Sequence, residues 1–449
     1  MIKNICCIGA GYVGGPTMAV IAEKCPDIKV TLVDSNPEKI TAWNGRLDNL
    51  PVYEPGLKEI IKKVRGKNLF FSNEIEKNID NSEMIFIAVN TPTKTSGEGA
   101  GMAADLKYVI ACSKQIAKSA TSDKIIIEKS TLPVRTAEKV KEILYREGKK
   151  DINFEILSNP EFLAEGTAIS DLYKSDRVLI GGDNTIDGKR AVKALTDIYA
   201  NWIPKEKILT TNIWSSELAK LASNAMLAQR ISSINSLSAI SEKTGADIDE
   251  LSKAIGMDRR IGPDFLKASV GFGGSCFKKD ILNLVYLSKY YGLNEVADYW
   301  HSVVKINEYQ KNRFSRKIIK DLKSSGDNSI VLLGWSFKKD TNDSRESASV
   351  DVACLLLNAG IDIIIYDPMV SDDRIYDDLS IKKVNVKSKK IEIVNSLTNA
   401  LKLSNNVAIL TEWDEFKDYK WGDDFKIFDG RNILSLAQCY YSIGRSYEN

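Results

Sequence analysis

Histidine is almost absent: His301 is the only one in 449 residues, and the seven cysteines at positions 6, 7, 25, 112, 276, 354 and 439 include no Cys-x-x-Cys pair. A histidine-based triad, a zinc cluster and a disulfide framework are thereby excluded as organising features, so no metal is expected. Any proton transfer must use carboxylates, lysines, hydroxyls or water. His301, beside Tyr299 and Trp300 in a predicted helix, reads as structural. Long apolar runs are missing too; none approaches the roughly 20 residues of a membrane span. Charge of one sign is not in excess, since 62 basic against 60 acidic residues leave a formal +2. Neither nucleic acid nor an anionic membrane surface is expected as a partner. The start, Met1 to Ile8, runs straight into Gly9 as a core strand would, without a signal-peptide layout, and the expectation is a cytoplasmic protein.

What is present is organised from the first residues. An apolar strand from Ile5 to Ile8 leads into Gly9-Ala10-Gly11-Tyr12-Val13-Gly14 and a predicted helix from about Gly15 to Glu23. A second strand, Lys29 to Val33, ends in Asp34, at the distance of about 20 residues that the dinucleotide fingerprint requires. Its glycines permit a tight turn, close approach of a pyrophosphate, and close packing of helix on strand, while the helix N-terminus offers N–H groups to the phosphates. The Asp34 carboxylate suits ribose hydroxyls and would repel a 2′-phosphate, so NAD is favoured over NADP.

Further apolar strands end in small polar loops. Met84 to Val89 runs into Asn90-Thr91-Pro92-Thr93, Ile125 to Ile127 into Glu128-Lys129-Ser130-Thr131, Phe154 to Leu157 into Ser158-Asn159-Pro160-Glu161, and Val178 to Ile180 into Gly181-Gly182. Strands alternating with helices in this way indicate a parallel sheet covered on both faces, with ligands beyond the strands' carboxyl ends. The stretch from Ile213 to Thr244 lacks proline and glycine and is closed by Gly245; as a helix it would be about 48 Å long. Lys220 and Asn224 share one face of it, and taken alone Lys220 reads as solvated. A second α/β pattern follows in Ser329 to Gly334, Ile361 to Asp367, Val407 to Leu410 and Lys426 to Asp429. Its first loop, Gly334 to Asp340, lacks the glycine fingerprint and offers Trp335, Phe337, Lys338 and Lys339, which suits a different phosphorylated ligand. Arg345 and Arg431 stand in loops that could meet phosphate. The expected class is α/β, with two Rossmann-like doubly wound domains joined by a long central helix.

Residues 271 to 280, Gly271-Phe272-Gly273-Gly274-Ser275-Cys276-Phe277-Lys278-Lys279-Asp280, put one thiol after a glycine-rich loop and before two lysines and a carboxylate. A helix start and nearby ammonium groups favour the thiolate, the form that attacks. If a helix begins here, Asp280 lies one turn from Cys276.

Taken in order, these motifs resemble the UDP-glucose 6-dehydrogenases, of animal type, over residues 1 to 445. The carriers are Gly9 to Pro16, Val89 to Thr93, Glu128 to Thr131, Ser158 to Gly166, Trp214 to Leu218 with Lys220 and Asn224, Arg260, the Cys276 loop, and Phe337 to Asp340. The resemblance implies oxidation of the C6 alcohol of UDP-glucose to a carboxylate with two NAD and one water. Cys276 would add to the intermediate aldehyde, Lys220 and Asn224 would stabilise oxyanions, Asp280 and Thr131 would serve water, and Glu161 would take part in thioester hydrolysis. It implies NAD contacts at Gly9, Gly11, Tyr12, Val13, Gly14, Asp34, Lys39, Val89, Asn90, Thr91, Pro92, Thr93, Ser130, Thr131, Glu165, Lys279 and Arg345. For the nucleotide sugar it implies Glu161, Phe162, Leu163, Ala164, Glu165, Lys220, Asn224, Arg260, Phe265, Lys267, Phe272, Gly273, Cys276, Phe277, Phe337, Lys338 and Arg431, with the glycines admitting the sugar.

Domains of 1–212 for NAD, 213–325 for the central helices and the cysteine loop, and 326–449 for the UDP-sugar follow from the same resemblance. So does self-association, as a homohexamer built from dimers or at least a homodimer, with Arg260 reaching a neighbouring subunit. Related enzymes acting on GDP-mannose or UDP-N-acetylmannosamine share the architecture. A two-electron dehydrogenase would have no use for the thiol, and a non-catalytic binding protein none for Cys276, Lys220 and Asp280 together. Two departures stand out: Lys39 replaces an arginine of the animal pattern, and the chain stops at Asn449 without a long basic tail.

Overall fold

Strand β1, Asn4–Ile8, buries both faces: Ile5 and Cys7 join one core cluster, Cys6 and Ile8 the other. That is why its sequence is apolar throughout rather than alternating. The structure is a computed structural model that describes residues 2–382 and 391–445; Met1 and the chain end at Asn449 lie outside the described residues. The chain divides into two compact units, Met1–Ser223 and Asn224–Asn449.

In the first unit β1 is joined by β2 (Lys29–Val33), β3 (Leu69–Ser72), β4 (Met84–Ile87), β5 (Lys124–Glu128), β6 (Phe154–Ser158), β7 (Val178–Gly181) and β8 (Ile208–Thr211), in the order β3-β2-β1-β4-β5-β6-β7-β8. From β3 to β6 all neighbours are parallel, in the doubly wound order, and the order reverses beside β1, where the glycine loop emerges. One expectation is corrected. β7 pairs antiparallel to β6, at Ser158 and Gly181, and carries β8 parallel to itself, so the sheet is mixed. An apolar run buried on both faces carries no signal of direction, which is why the sequence read β7 as one more parallel strand.

The second unit repeats the order: β9 (Ser329–Leu333), β10 (Asp362–Tyr366), β11 (Ile391–Ile393), β12 (Asn406–Ile409), β13 (Lys426–Asp429) and β14 (Tyr441–Ser442) pair in parallel as β11-β10-β9-β12-β13-β14. Ile330 and Leu332 face one core cluster and Val331 and Leu333 the other.

The long helix spans Ile213–Thr244, and the division between the units falls inside it, after Ser223. Its end is set by Gly245, which takes φ +80° and donates its N–H to Ser241 O. In the second unit, helix Phe277–Tyr290 packs against helix Asn294–Ser325, which ends in the same way at Gly326 with φ +80°. The latter buries polar residues toward the cysteine loop. Asn307 accepts from Phe272 N (2.9 Å) and donates to Phe272 O (3.0 Å), and Gln310 Nε2 donates to Ser269 O at 2.8 Å.

Candidate active site

Three glycines of the first loop are packed and one is open. A Cβ at Gly9, where φ is +110°, would lie 2.4 Å from Ala88 O; at Gly14, 2.0 Å from Gly9 O; and at Gly15, 2.5 Å from the Trp43 ring. At Gly11 it would meet nothing within 4 Å. Open space over a loop that leads into helix Gly14–Lys24 fits a pyrophosphate on the helix N-terminus. Asp34, at the end of β2, accepts from Ala10 N at 3.0 Å, Asn36 N at 3.0 Å and Lys39 Nζ at 3.0 Å. Burial pushes the Asp34 carboxyl up, and the Asn36 N–H, Lys39 and the Ala10 N–H outweigh it, so its pKa lies below the ordinary value. Asp34 is thus ionised and fixed, a fit acceptor for ribose hydroxyls. Lys39 is bound to that acid.

The β4 and β5 loops are tied to one another. Ser130 Oγ donates to Val89 O at 2.6 Å, Thr91 Oγ1 donates to Thr131 O at 3.0 Å, and Asp105 N donates to Pro92 O at 2.7 Å. The expected residues Val89, Asn90, Thr91, Pro92, Thr93, Ser130 and Thr131 therefore form one rim at the carboxyl ends of β4 and β5, beside the order reversal.

After β6 the Glu161 carboxylate accepts from its own turn, Phe162 N at 2.8 Å and Leu163 N at 3.2 Å, and its Oε2 lies 2.8 Å from Lys129 Nζ. The Phe162 ring carries two cations, the Arg177 guanidinium 4.0 Å and Lys220 Nζ 5.2 Å from its centroid. Lys220 is only 8% exposed, which corrects its reading as a solvated lysine. Ala164 N is held by Asp171 at 2.9 Å and Gly166 N by Glu54 at 2.8 Å, so the loop through Glu165 is anchored at both sides.

In the second unit Cys276 stands at the N-cap of helix Phe277–Tyr290, and its thiol is exposed, 3.5 Å from Ser275 Oγ. Asp280 N donates to Cys276 O at 2.9 Å, the one-turn spacing the sequence implied. Asp280 is 1% exposed; Asn224 Nδ2 donates to its Oδ2 at 2.6 Å and Lys279 lies 3.3 Å from its Oδ1. The other lysine of the motif, Lys278, pairs with Glu346 at 2.9 Å and Glu308 at 3.6 Å. Both ammonium groups are therefore committed to carboxylates rather than free to polarise the thiol. The glycines of the motif have a packing role as well. A Cβ at Gly273 would lie 2.6 Å from Glu346 O, and one at Gly274 3.0 Å from the Phe337 ring, so these glycines admit the protein's own backbone and aromatic ring.

Around β9, β12 and β13 the loops converge on Arg431, which donates to Phe337 O at 2.6 Å and Leu410 O at 2.7 Å and lies 3.1 Å from Glu412. Trp335 is fully buried in the loop after β9, and Asp367, the counterpart of Asp34, accepts from Trp335 N, Ser336 N and the Trp413 indole. By these bonds Trp335 stands where the first unit has the equally buried Ala10, and Ser336 where it has Gly11. Lys338 lies over the Phe337 ring at 5.8 Å, Phe272 and Phe277 meet edge to face at 5.8 Å, and Phe265 approaches Phe277 at 6.4 Å. Arg345 is bound to Asp343 within its own loop at 2.7 Å. Lys267 is exposed, and Arg260, also exposed, pairs with Asp258 at 2.6 Å. No group of three or more His, Cys, Asp or Glu that could hold a metal ion occurs among the described residues.

Models of three domains of one family match in chain order: the NAD binding domain of the UDP-glucose/GDP-mannose dehydrogenase family over 3–203, its central domain over 214–309 and its UDP binding domain over 331–436. The chain belongs to that family. It is 54% identical over 467 residues to a UDP-glucose 6-dehydrogenase of Drosophila melanogaster, covering 99% of this chain and 97% of that one. It is 52% identical over 471 residues to UDP-glucose 6-dehydrogenase 4 of Arabidopsis thaliana, with the same coverage of 99% and 97%. A solved UDP-glucose dehydrogenase from Pyrobaculum islandicum superposes with a TM-score of 0.86 at 29% identity, covering 99% of this chain and 97% of that one.

Family membership accounts for the NAD cradle, and the chain's own packing shows groups that the motifs alone did not single out. Lys129 is the foremost. It belongs to the Glu128 to Thr131 motif, and its only sequence signal is a cation directly after a buried strand, where a lysine needs a partner. Tyr199 and Asn159, its other neighbours, lie 70 and 30 residues away in the chain.

Proposed function

We propose that this protein oxidises UDP-glucose to UDP-glucuronate, a four-electron oxidation at C6 with two NAD and one water. The observation that carries the reading is the exposed Cys276 heading a helix whose first turn holds the buried, Asn224-bound Asp280. A dehydrogenase that stopped at the aldehyde would have no need of that thiol. Bound NAD, held by the Gly11 loop, Asp34 and the Val89 to Thr93 and Ser130 to Thr131 rim, supplies the hydride acceptor.

The protein's residues do the rest. Cys276 adds to the aldehyde carbon and gives a thiohemiacetal, which oxidation turns into a thioester; water then breaks the C–S bond, returning the thiol and releasing the carboxylate. Lys220 stabilises oxyanion character at C6 with help from Asn224, and Asp280 with Thr131 orients or activates the water. Arg431, Lys338, Phe337 and the Phe265, Phe272 and Phe277 rings bind the nucleotide part, with Lys267 on the phosphates. Self-association as a homohexamer, with Arg260 serving a neighbour's substrate, is part of the same reading; the exposed Arg260 and the exposed Tyr290, Tyr291 and Tyr299 support it. A cytoplasmic location belongs to it too.

The test is stoichiometric. Purified protein with limiting UDP-glucose and excess NAD is expected to yield two NADH per sugar, and Cys276→Ser to stall before free UDP-glucuronate accumulates. One NADH per sugar, or better turnover with GDP-mannose or UDP-N-acetylmannosamine, would rule the reading out.

A further inference from the structure

Lys129, the residue directly after β5, is 3% exposed, and lysine is almost never so deeply buried without a partner. Its ammonium group meets three acceptors: Glu161 Oε2 at 2.8 Å, Asn159 Oδ1 at 3.1 Å and Tyr199 OH at 3.1 Å. An ammonium group has three N–H donors, and each is used here. The acceptors are themselves fixed, since Tyr199 OH donates to Asn159 Oδ1 at 2.7 Å and Asn159 Nδ2 donates to Leu179 O at 2.8 Å. The cation therefore has one position and no slack.

Glu161 is fixed from the other side by Phe162 N and Leu163 N on Oε1. A carboxylate offers about four lone-pair sites, so about one remains, and the two N–H groups on Oε1 place it on Oε2. All three of these donors favour the ionised form.

We propose that Lys129 is a positioning residue that keeps Glu161 a fixed carboxylate, so that Glu161 enters the reaction as a hydrogen-bond acceptor at Oε2 and never as its proton donor. This rests on the reaction proposed above, with Glu161 taking part in its thioester hydrolysis as the family resemblance implies, and defines that part: proton donation falls to other groups. The titratable groups around the pair come from four elements: Cys7 of β1, Tyr199 of helix Ile186–Tyr199, Lys220 of the long helix, and Glu161 itself after β6. Burial pushes Glu161 up, and Lys129, the Phe162 N–H and Lys220 outweigh it, leaving its pKa below the ordinary value. Burial likewise pushes Lys129 down, and Glu161 and Tyr199 reverse it and hold the ammonium above its usual range.

The test is the pH dependence of kcat in the full-length Lys129→Met variant with saturating UDP-glucose and NAD. Without its cation the buried carboxyl has lost an opposite charge whose removal raises a pKa by about 1–3 units. The acidic limb of the profile is therefore expected to appear or move up by that amount, so that the loss is largest below pH 7 and shrinks toward pH 9, with KM for NAD unchanged. A uniform loss at every pH, or a limb that stays where the wild type has it, overturns the proposal. The double variant Lys129→Met/Glu161→Gln carries no buried charge at the pair and serves if the single variant does not fold. Its thermal midpoint is expected to exceed that of Glu161→Gln alone, which strands the Lys129 cation. A midpoint at or below that of Glu161→Gln alone overturns the proposal equally. A wild-type protein that makes no NADH from UDP-glucose counts against the reaction itself, and the melting comparison still judges the pair.

Discussion

Asn224 Nδ2 donates to Asp280 Oδ2 across 2.6 Å, and both side chains are buried. The two come from different helices, Ile213–Thr244 and Phe277–Tyr290, so this bond fixes the carboxylate that stands one turn after Cys276. A charge-assisted bond of this kind restrains the acid more firmly than a neutral pair would.

Replacing Asp280 by Asn keeps the shape and an acceptor for Asn224 while removing the charge. Asp280→Asn is expected to lower kcat by about 100-fold or more, the range for loss of a general base, with a thermal midpoint close to that of the wild type. Steady-state NADH formation and calorimetry on the same preparation check both halves. A variant with wild-type kcat would remove Asp280 from the chemistry.

The first loop separates folding glycines from a binding glycine. Gly11→Ala places its methyl group in open space and is expected to fold normally yet bind NAD about 10–100-fold more weakly, since overpacking against a bound group costs about 1–3 kcal/mol. Gly14→Ala would drive a Cβ to 2.0 Å from Gly9 O and is expected to lower the melting temperature instead. Fluorescence titration with NAD and thermal melts distinguish the two; normal NAD affinity in Gly11→Ala would place the pyrophosphate elsewhere.

Glu128 ends β5 with both carboxyl oxygens buried against Glu217, whose own oxygens accept from Arg135 N at 2.7 Å and Ala137 N at 2.9 Å at the start of helix Thr136–Glu147. Burial, reinforced by the neighbouring Glu217, pushes Glu128 well above the ordinary carboxyl value. A carboxyl raised in the folded state contributes stability that is full below its unfolded pKa and is lost as pH rises through the folded one. Glu128→Gln, neutral at every pH, is therefore expected to raise the melting temperature by about 2–6 °C at pH 8 to 9, with a smaller gain near pH 5. Scanning calorimetry across that range decides it, and a gain that does not grow between pH 5 and 9 would mean that Glu128 is ionised in the folded protein throughout that range.

Several elements were legible because a local rule governs them. The glycine fingerprint and Asp34 declared the first crossover, since only glycine allows those close approaches, and the long helix declared both its length and its end at Gly245. The thiol, its helix and Asp280 one turn on were readable from four-residue spacing. Some strands were not: β11 and β14 span three and two residues, and β3 and β8 lack the continuous buried run of β4 and β7, with burial alternating along β3 and only Ile208 buried in β8. The partners of charged side chains were hidden as well. Lys278 and Lys279 read as charges available to Cys276, and each is bound to a carboxylate, Lys278 to one 68 residues away.

By itself, the sequence determined the α/β class, the NAD-binding domain and the place of the Cys276 thiol at a helix start, because periodicity, glycine sterics and residue chemistry act over a few neighbours. Only the tertiary structure decided that β7 and β8 run against the rest of their sheet, that Gly273 and Gly274 serve the protein's own packing, and that Lys129 is buried on Glu161. Each of these depends on which distant groups come into contact, and burial then fixes the charge and the role of the groups that meet.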